Sequence, residues 1–405
     1  MTTELSTRSK KYVVPSYSLT GDLIAFLKCR LQYRFNNKGS LPPAIPVQLW
    51  FGEFIHGVME EAYLVWKKEL EETGEPKSRW TFNDVQAISV EIAKRLRSKG
   101  LKPYSGIFCN CTEKGKKGWC EDENHPHHLV ANERAFHAVN GWGPHVFPLI
   151  MDNEKKLQGI RPMPHYDPEQ SRANLYSITG VADVISSINI EKCPPDNKLV
   201  SFLRENEKIN RLIEENPEFE IIIDYKGTAR PDEKGRADEQ AEWKQFGWQI
   251  ATYMWLQEQN QKASGINKPI VAGILLFLNE LYPSYEDCKK MTKMDHDYLR
   301  KEFHATDDDL RILEKGDSDS YRHLSEEFLM RRSIRVVEYD PQIIEESLKA
   351  FDEVVYNLES CVLKEMHNPK DIISCWLCSK YDQHRCIACD LKNICDSAKQ
   401  TPRVP

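Results

Sequence analysis

The sequence predicts an α/β protein in which helices flank a central mixed sheet. Apolar, β-branched runs and one alternating run indicate buried strands, at Ile178–Ile185, Ile221–Ile223, Ile270–Leu278 and Ser333–Tyr339. Helical spacing of apolar residues dominates from Ser18 to Leu101 and returns from Pro341 to Lys364. Strand and helix patterns therefore alternate along the chain, as expected for an α/β core.

The order of these patterns divides the chain into five parts. We expect a flexible polar arm at 1–16, a helical part at 17–101 with a proline-rich break near residues 37–46, and an irregular Cys/His-rich insertion at 102–169. The core follows at 170–365, with a helical insertion at 197–216 between two of its strands. A cysteine-rich segment and tail occupy 366–405.

Composition limits the class of protein. A chain of 405 residues with 40% hydrophobic and 29% charged residues forms one large or two modest folded domains. The net charge of -7 does not by itself indicate nucleic-acid binding, which usually needs basic surface. Two basic stretches, Lys94–Lys102 and Met330–Arg335, are candidates for contacting phosphate, although such a stretch is more often an ordinary solvated face.

The chain holds 12 cysteines but no signal peptide and no apolar run long enough to span a membrane. We therefore expect an intracellular, cytoplasmic protein whose cysteines bind metal rather than form disulfides. A Walker A sequence is absent as well. The chain therefore carries no helicase motor.

A triplet of chemically active residues ends the second apolar run. Residues i and i+2 of a strand share a face, so Asp224 and Lys226 would project together while Tyr225 points away. Asp183 lies within the neighbouring run Ile178–Ile185 and could converge with them. Two carboxylates suit Mg²⁺ or Mn²⁺, which can orient a scissile phosphate and activate water, while a lysine offsets phosphate charge. The triplet alone is also common as a solvated strand end.

Four motifs in a fixed order resemble the PD-(D/E)XK nuclease superfamily, and more closely its RecB/AddB-like branch. They are His56, Gly180–Asp183, Asp224–Lys226 and Gln249–Tyr253. The resemblance implies a PD-(D/E)XK core with a Mg²⁺- or Mn²⁺-dependent site. His56, Asp183, Asp224 and the backbone carbonyl of Tyr225 would be metal ligands, with Lys226 as the catalytic lysine.

The same resemblance gives Gln249 and Tyr253 to a helix that contacts the site or the nucleic acid. They are four residues apart and share a helix face, although without the family context they would be an ordinary polar pair. His56 lies in an apolar helical pattern, where a lone histidine is more often structural. Its spacing from Gly52 matches the first family motif, which favours the ligand interpretation.

Three cysteines near the C-terminus, Cys386, Cys389 and Cys395, form a C-x2-C-x5-C pattern. A tetrahedral Zn²⁺ site or a four-cysteine iron–sulfur cluster needs a fourth soft ligand. Cys375 and Cys378 are the local candidates. The residues alone leave the metal and the fourth ligand open.

The resemblance to iron–sulfur nucleases of the AddB and CRISPR-adaptation type proposes a distant fourth ligand, Cys29. The segment around it resembles the family's N-terminal helix, although Arg30 replaces the usual proline. This implies a [4Fe-4S] cluster on Cys29, Cys386, Cys389 and Cys395 that joins the ends of the chain. Structural Zn²⁺ on some of these residues is the alternative.

A second Cys/His group lies in the predicted insertion and is not explained by the resemblance. Cys109, Cys111 and Cys120 precede a histidine group of which His125 is the first candidate ligand and His127 and His128 are the others. Mixed Cys/His ligands at local spacing suit a small zinc knuckle. The alternative is a loop with reduced thiols.

The sequence hence predicts a DNA nuclease, by family analogy an exonuclease that acts on single-stranded DNA or on free ends. An endonuclease of a repair or defence system is the nearest alternative. A catalytically inactive nucleic-acid-binding subunit with structural metal is an alternative from another class. Protein partners in repair or CRISPR and defence complexes fit this interpretation, and no membrane partner is expected.

Overall fold

The computed structural model describes residues 14–37, 47–101, 126–317, 319–377, 386, 389 and 391–395. Within these residues the chain is α/β, with helices flanking a mixed sheet of six strands. The strands are β1 (Ser16–Ser18), β2 (Ile150–Pro162), β3 (Leu175–Asn189), β4 (Glu218–Lys226), β5 (Ile270–Phe277) and β6 (Ile334–Glu338). The fold class predicted from the sequence is confirmed at this level.

Helices fill the connections between the strands. In the first half of the chain they are α1 (Ala25–Lys28), α2 (Arg30–Asn37), α3 (Val47–Thr73), α4 (Phe82–Ser98), α5 (Pro126–Val146), α6 (Lys198–Arg204) and α7 (Glu207–Glu215). In the second half they are α8 (Ala237–Ser264), α9 (Tyr285–Met291), α10 (His296–Phe303), α11 (Asp307–Lys315), α12 (Glu326–Ser333), α13 (Pro341–His367) and α14 (Ile372–Cys375). A π-helical segment, Leu19–Ile24, connects β1 to α1.

The strand order is β1-β3-β4-β5-β6, with β2 paired to the other side of β3. β3 and β4 run antiparallel, β4 and β5 parallel, and β5 and β6 antiparallel. β1 and β4 both pair with the same side of β3, β1 as far as Thr179 and β4 from Val184 onwards. Residues 180–183 therefore lie in the gap between the two partners.

Two hydrophobic cores cover the two faces of the sheet. The first includes Trp50, Trp142 and Phe219 and packs α3, α5 and α6 on one face. The second packs α8, α13 and the N-terminal segment on the other. Ile221 and Ile223 belong to the first core and Ile222 to the second. This burial on both sides explains the continuous apolar run before Asp224.

A smaller helical module is inserted between β5 and β6. It comprises α9 to α12 and has a core of its own that includes Cys288, Leu299, Phe303 and Phe328. α12 packs against the residues that follow β5. The module hence lies beside the parallel pair of strands that ends in Asp224–Lys226.

The predicted irregular stretch at 102–169 is wrong for its second half. α5 and β2 occupy residues 126–146 and 150–162. Gly141, Gly143 and Pro144 hid the helical spacing of the buried residues in α5, whose last turn contains that proline. β2 pairs with β3 alone among the described strands, and most of its side chains are exposed or half-buried. It therefore lacks the apolar pattern of a core strand.

Other predicted elements are confirmed. The four predicted strands correspond to β3 to β6, the insertion at 197–216 forms α6 and α7, and the long C-terminal helix is α13. The predicted N-terminal helix is preceded by β1, which begins at Ser16, the last residue of the predicted arm. None of the helices in the described part of the chain is long and apolar enough to cross a membrane.

Candidate functional site

The candidate site lies where β3 and β4 separate. Regular pairing between them ends at Val184 and Ile223, and β4 continues beside β5 as far as Lys226. The Asp183 carboxylate bridges the opening, because its Oδ2 accepts a hydrogen bond from the backbone N–H of Tyr225 at 2.7 Å. The sheet thus holds the first carboxylate against the backbone of the Asp224–Lys226 triplet.

Asp224 and Lys226 project together, as the strand alternation predicts. Their side chains form an ion pair and are 5% and 12% exposed. The Lys226 ammonium also donates to Gln249 Oε1 at 2.8 Å and lies 4.8 Å from the centre of the Phe246 ring. Asp224 Oδ2 is buried and is the oxygen of this ion pair, although no donor of the described residues meets it in a well-oriented hydrogen bond. The lysine is therefore fixed from two sides, and the Asp224 carboxylate is held by the charge of the lysine.

His56 reaches the same opening from α3. A Cβ on Gly227, just after β4, would lie 2.8 Å from the Cα of Gly52, so the two backbones meet only because Gly227 has no side chain. This close approach brings the next turn of α3 over the site. The Nδ1 atom of His56 lies 3.4 Å from Oδ2 of Asp183, and its ring packs edge-on against Tyr225. The steric requirement lies at Gly227, because a Cβ on Gly52 itself would meet nothing within 4 Å.

A second glycine connects two of the predicted motifs. A Cβ on Gly180 would lie 2.6 Å from Cε1 of Tyr253, so that ring occupies the space over β3 that a side chain would fill. Tyr253 is buried, and the Asp224 and Asp183 carboxylates add to burial in raising the pKa of its hydroxyl. Gln249 and Tyr253 therefore approach the site from α8.

The charges of the site are strongly coupled. Burial alone would lower the pKa of His56, but the Asp183 carboxylate outweighs it and raises the pKa to about 9. Burial would raise the pKa of Asp183, yet His56 and the Tyr225 N–H hold it below its usual value. The pKa of Asp224 is raised, first by burial and then by Asp183 despite the neighbouring Lys226. A cation between the two carboxylates would relieve this repulsion.

Sequence reasoning missed one buried acidic side chain of β4. Glu220, on the same face of β4 as Asp224, is 2% exposed. Its Oε2 accepts hydrogen bonds from the side chains of Gln257 and Gln261 at 2.8 Å each. Those glutamines continue the four-residue spacing of Gln249 and Tyr253 along α8. A polar stripe on the helix and an acidic residue inside an apolar strand were the available signals.

The two ends of the chain meet beside α13. Arg34 Nε donates to Glu365 Oε2 at 2.7 Å, and the indole N–H of Trp376 donates to the same carboxylate. The rings of Phe26 and Tyr33 lie 6.2 and 6.1 Å from the Trp376 ring. The N-terminal segment that carries Cys29 thus packs against the segment that leads to the C-terminal cysteines.

The predicted cluster cysteines border one core. Cys29 and Cys389 are half-buried against the second core, and Cys395 is buried within it. The backbone N–H of Leu391 donates to Cys389 Sγ at 3.4 Å, and the amide of Cys389 donates to the carbonyl of Cys386 at 3.3 Å. None of the eight cysteines whose state the structure describes forms a disulfide.

The alternative ligand Cys375 has a different environment. It is buried, and its Sγ lies 3.9 Å from the carbonyl oxygen of Asn368, to which it donates. Burial raises the pKa of this thiol. Cys378, the other local candidate, lies outside the described residues.

The predicted zinc group also lies largely outside the described residues, which include neither Cys109, Cys111, Cys120 and His125 nor the side chain of His127. His128 is described and is buried in the first core, with its ring 5.1 Å from the Trp50 ring. The zinc prediction is therefore neither supported nor contradicted.

The two basic stretches differ in their surroundings. In the first, Lys94 pairs with Glu91 and Arg95 with Glu61 on an exposed helix face. Exposed pairs of this kind are typical of a solvated surface. The second stretch contains Arg331 and Arg332, which pair with carboxylates, and Arg335 in β6.

No model of a known protein family matches the chain, and no curated protein matches it either.

Proposed function

We propose that this chain is a metal-dependent DNA nuclease with a PD-(D/E)XK site, as its motifs imply. The observation that carries the proposal is the convergence of His56, Asp183, Asp224 and Lys226 at one opening of the sheet. These residues come from a helix and two strands that are far apart in sequence. Chance solvated charges at strand ends have no reason to meet in this way.

The donor types suit a hard divalent cation, although no three His, Cys, Asp or Glu side chains of the described residues form a group that could hold a metal ion as they stand. Asp183 and Asp224 offer carboxylate oxygens and His56 a ring nitrogen, and Mg²⁺ and Mn²⁺ favour oxygen-rich shells. Among the described residues, Asp224 Oδ2 is held by the charge of Lys226 and not by a well-oriented hydrogen bond, so a bound cation could share this oxygen with the lysine. The Tyr225 carbonyl is a further proposed ligand. When bound, the metal would supply Lewis acidity and activate water.

The chain's own side chains would hold and orient the reacting groups. Lys226 would offset the charge that develops on the phosphate or orient the attacking water. Gln249 fixes the position of its ammonium through the 2.8 Å hydrogen bond. Tyr253 fills the space above Gly180 and excludes water from the back of the site. Hydrolysis of a phosphodiester bond is the reaction that these roles serve.

We further propose a structural [4Fe-4S] cluster on Cys29, Cys386, Cys389 and Cys395. The meeting of the chain ends around Trp376 and Glu365 supports this set over one drawn only from the C-terminus. The N–H that points at Cys389 Sγ suits a thiolate that binds metal, because such hydrogen bonds stabilise the charged sulfur. The cluster would tie the ends of the chain to the core.

Cleavage of labelled single-stranded DNA with Mn²⁺, against a metal-free control, tests the proposed activity. We expect cleavage with metal only, and none by Asp224→Ala protein prepared in the same way. Cleavage by that variant at the wild-type rate would show that the assigned site is wrong. Linear strands that are degraded beside intact circular strands would indicate an exonuclease, and cut circles an endonuclease. A protein that binds DNA but never cleaves it would be the inactive subunit.

Elemental analysis of anaerobically prepared protein tests the metal proposals separately from activity. Iron is expected from the cluster, and zinc is expected in addition if Cys109, Cys111, Cys120 and His125 form a knuckle. Less than about half an equivalent of zinc, allowing for incomplete loading of a four-ligand site, would favour free thiols. Protein that contains zinc but no iron would indicate structural Zn²⁺ in place of the proposed cluster.

A further inference from the structure

A second group of positive charges lies beside the candidate site, towards β6. Arg230 follows β4, Arg335 lies in β6, and both are half-buried. Trp243 in the first turns of α8 contacts both of them. We call Arg230, Arg335 and Trp243 the arginine subsite.

The sheet register places this subsite next to Asp224. Asp224 is paired with Leu275 of β5, and Leu275 is paired with Arg335 of β6. Directly paired residues project from the same face of a sheet. Two strand spacings separate Asp224 from Arg335, which is about 10 Å. Arg335 therefore extends the row of the sheet that carries the candidate metal ligand.

Trp243 holds the two guanidinium groups in place. The guanidinium carbon of Arg335 lies 3.5 Å from the Trp243 ring centre, and that of Arg230 lies 4.9 Å away. Arg335 also donates to the Trp243 carbonyl at 2.6 Å, and Arg230 donates to the carbonyls of Arg332 and Ile334. Aromatic stacking and hydrogen bonds to carbonyls orient a guanidinium without neutralising its charge.

The neighbouring arginines are neutralised, in contrast. Arg332 pairs with Glu280 at 2.8 Å, and Arg331 with Glu205 at 2.8 Å. Neither Arg230 nor Arg335 forms an ion pair within the described part of the chain. Burial, and then a neighbouring guanidinium, lowers the pKa of Arg230 to about 10 and that of Arg335 to about 9. Glu233 opposes this lowering of the pKa at both arginines and Glu280 opposes it at Arg230, but within the described residues neither carboxylate forms an ion pair with them. An anion in contact with the two guanidinium groups would therefore stabilise them further.

The subsite also has a packing role, because Arg230 lies 5.1 Å from the Phe303 ring of the α9–α12 module. Packing alone does not account for the charge. Partly buried guanidinium groups that lack carboxylate partners cost desolvation free energy. An apolar side chain or a paired arginine would tie the module to the sheet at lower cost. The unbalanced charge therefore points to an anionic ligand.

We propose that Arg335 and Arg230, held by Trp243, bind a backbone phosphate of the nucleic-acid strand whose scissile phosphate lies at Asp183, Asp224 and Lys226. This inference rests on the proposed nuclease function and specifies how the substrate strand is held. A guanidinium fork matches the geometry of a phosphate and binds it in bidentate fashion. A local site of this kind is compatible with a net charge of -7.

Strand binding without cleavage tests the subsite. The probe is a fluorescently labelled single-stranded oligodeoxynucleotide, and its anisotropy is followed with full-length protein and no divalent cation. Arg335→Gln should weaken binding about tenfold and lower the salt slope by about one, as for one lost phosphate contact. Arg331→Gln is the matched control, because Arg331 also lies over an aromatic ring, 5.0 Å from Phe202, but is already paired. It should bind like wild type.

Equal binding by the Arg335→Gln and Arg331→Gln proteins would overturn the subsite, whatever the cleavage assay gives. If Arg335→Gln also lowers the melting temperature, Arg335→Lys decides. It keeps the charge but loses the fork, so intermediate binding supports the proposal and wild-type binding contradicts it. Weakened binding by Arg335→Gln in a protein that never cleaves would overturn the nuclease function and leave the subsite standing. A wild-type protein that binds no strand would overturn both.

Discussion

The two ends of β4 carry buried carboxylates on one face, and α8 approaches both of them. Glu220 accepts hydrogen bonds from Gln257 and Gln261. Asp224 instead contacts Lys226 through an ion pair, and no donor of the described residues forms a well-oriented hydrogen bond with the oxygen of that pair. The same strand and helix therefore hold one carboxylate through hydrogen bonds from two amides and the other through the charge of a lysine. We expect the first carboxylate to stabilise the fold and the second to bind the proposed metal.

The largest effect on cleavage is expected from substitutions at the Asp224 end of β4. Asp224→Ala, Asp183→Ala and Lys226→Ala should each reduce cleavage at least about a thousandfold, because a metal ligand or charge-stabilising group contributes several kcal/mol to the transition state. Folding should be nearly intact, most clearly in Asp224→Ala, because the pKa of Asp224 is raised and its removal relieves repulsion with Asp183. Single-turnover cleavage rates and thermal melts measure the two quantities. An Asp224→Ala protein with normal activity would contradict the site.

The cysteines allow a second comparison, between a thiol that donates a hydrogen bond and a sulfur that accepts one. Cys375 donates its thiol to a carbonyl, whereas Cys389 accepts an N–H at its sulfur. Cys29→Ser should remove the iron and the brown colour and destabilise the whole domain by several kcal/mol, because metal binding is coupled to folding. Cys375→Ser is the control and should keep its iron. Iron retained by Cys29→Ser, or lost by Cys375→Ser, would assign the ligands to the C-terminal segment instead.

Substitution at the Glu220 end of β4 should change the stability of the protein. Glu220→Ala leaves two buried amide donors without an acceptor, which should lower the free energy of unfolding by about 2–4 kcal/mol. Glu218→Ala, at an exposed position of the same strand, should change it by less than about 0.5 kcal/mol. Urea unfolding of both variants measures the difference. Equal stability of the two would mean that the Glu220 hydrogen bonds contribute little.

The glutamines of α8 provide a comparison with smaller expected effects, in which one substitution should change activity and the other stability. Gln249→Leu removes the acceptor that fixes Lys226 and should slow cleavage about tenfold, since hydrogen bonds to charged groups contribute about 1.5–3 kcal/mol. Gln257→Leu removes a donor to Glu220 and should lower stability while leaving the cleavage rate of the folded protein unchanged. If both variants lost activity and stability in equal proportion, the polar side chains along α8 would act as one structural unit.

Strong local patterns made much of the fold predictable. Long apolar strands and the amphipathic α13 have periodicities that few other structures produce, so β3 to β6 and α13 were correctly predicted. β2 and α5 were not, because an edge strand exposes polar side chains and glycines with a proline interrupt the helix pattern. Packing against β3 and the first core supplies what these local sequences lack.

Prediction of the candidate site from the sequence was limited in the same way, by contacts between distant segments. The motif residues could be named from their order, but the reason for each spacing is tertiary. Gly227 matters because α3 crosses the end of β4, and Gly180 because the Tyr253 ring lies above it. Arg335 belongs to the basic stretch Met330–Arg335 that the sequence marks as a candidate for contacting phosphate, but the sequence does not show which of its arginines pair with carboxylates. The hydrogen bonds of Glu220 likewise depend on the packing of α8 against β4.

Titration with Mn²⁺ in the absence of nucleic acid tests directly whether Asp224 is a metal ligand. Calorimetry of wild-type, Asp224→Ala and Glu220→Gln proteins would compare the two ends of β4 in one experiment. We expect wild type and Glu220→Gln to bind Mn²⁺ and Asp224→Ala to lose this binding. Unchanged Mn²⁺ binding by folded Asp224→Ala, or its loss in folded Glu220→Gln, would contradict the assignment of Asp224 as the metal ligand.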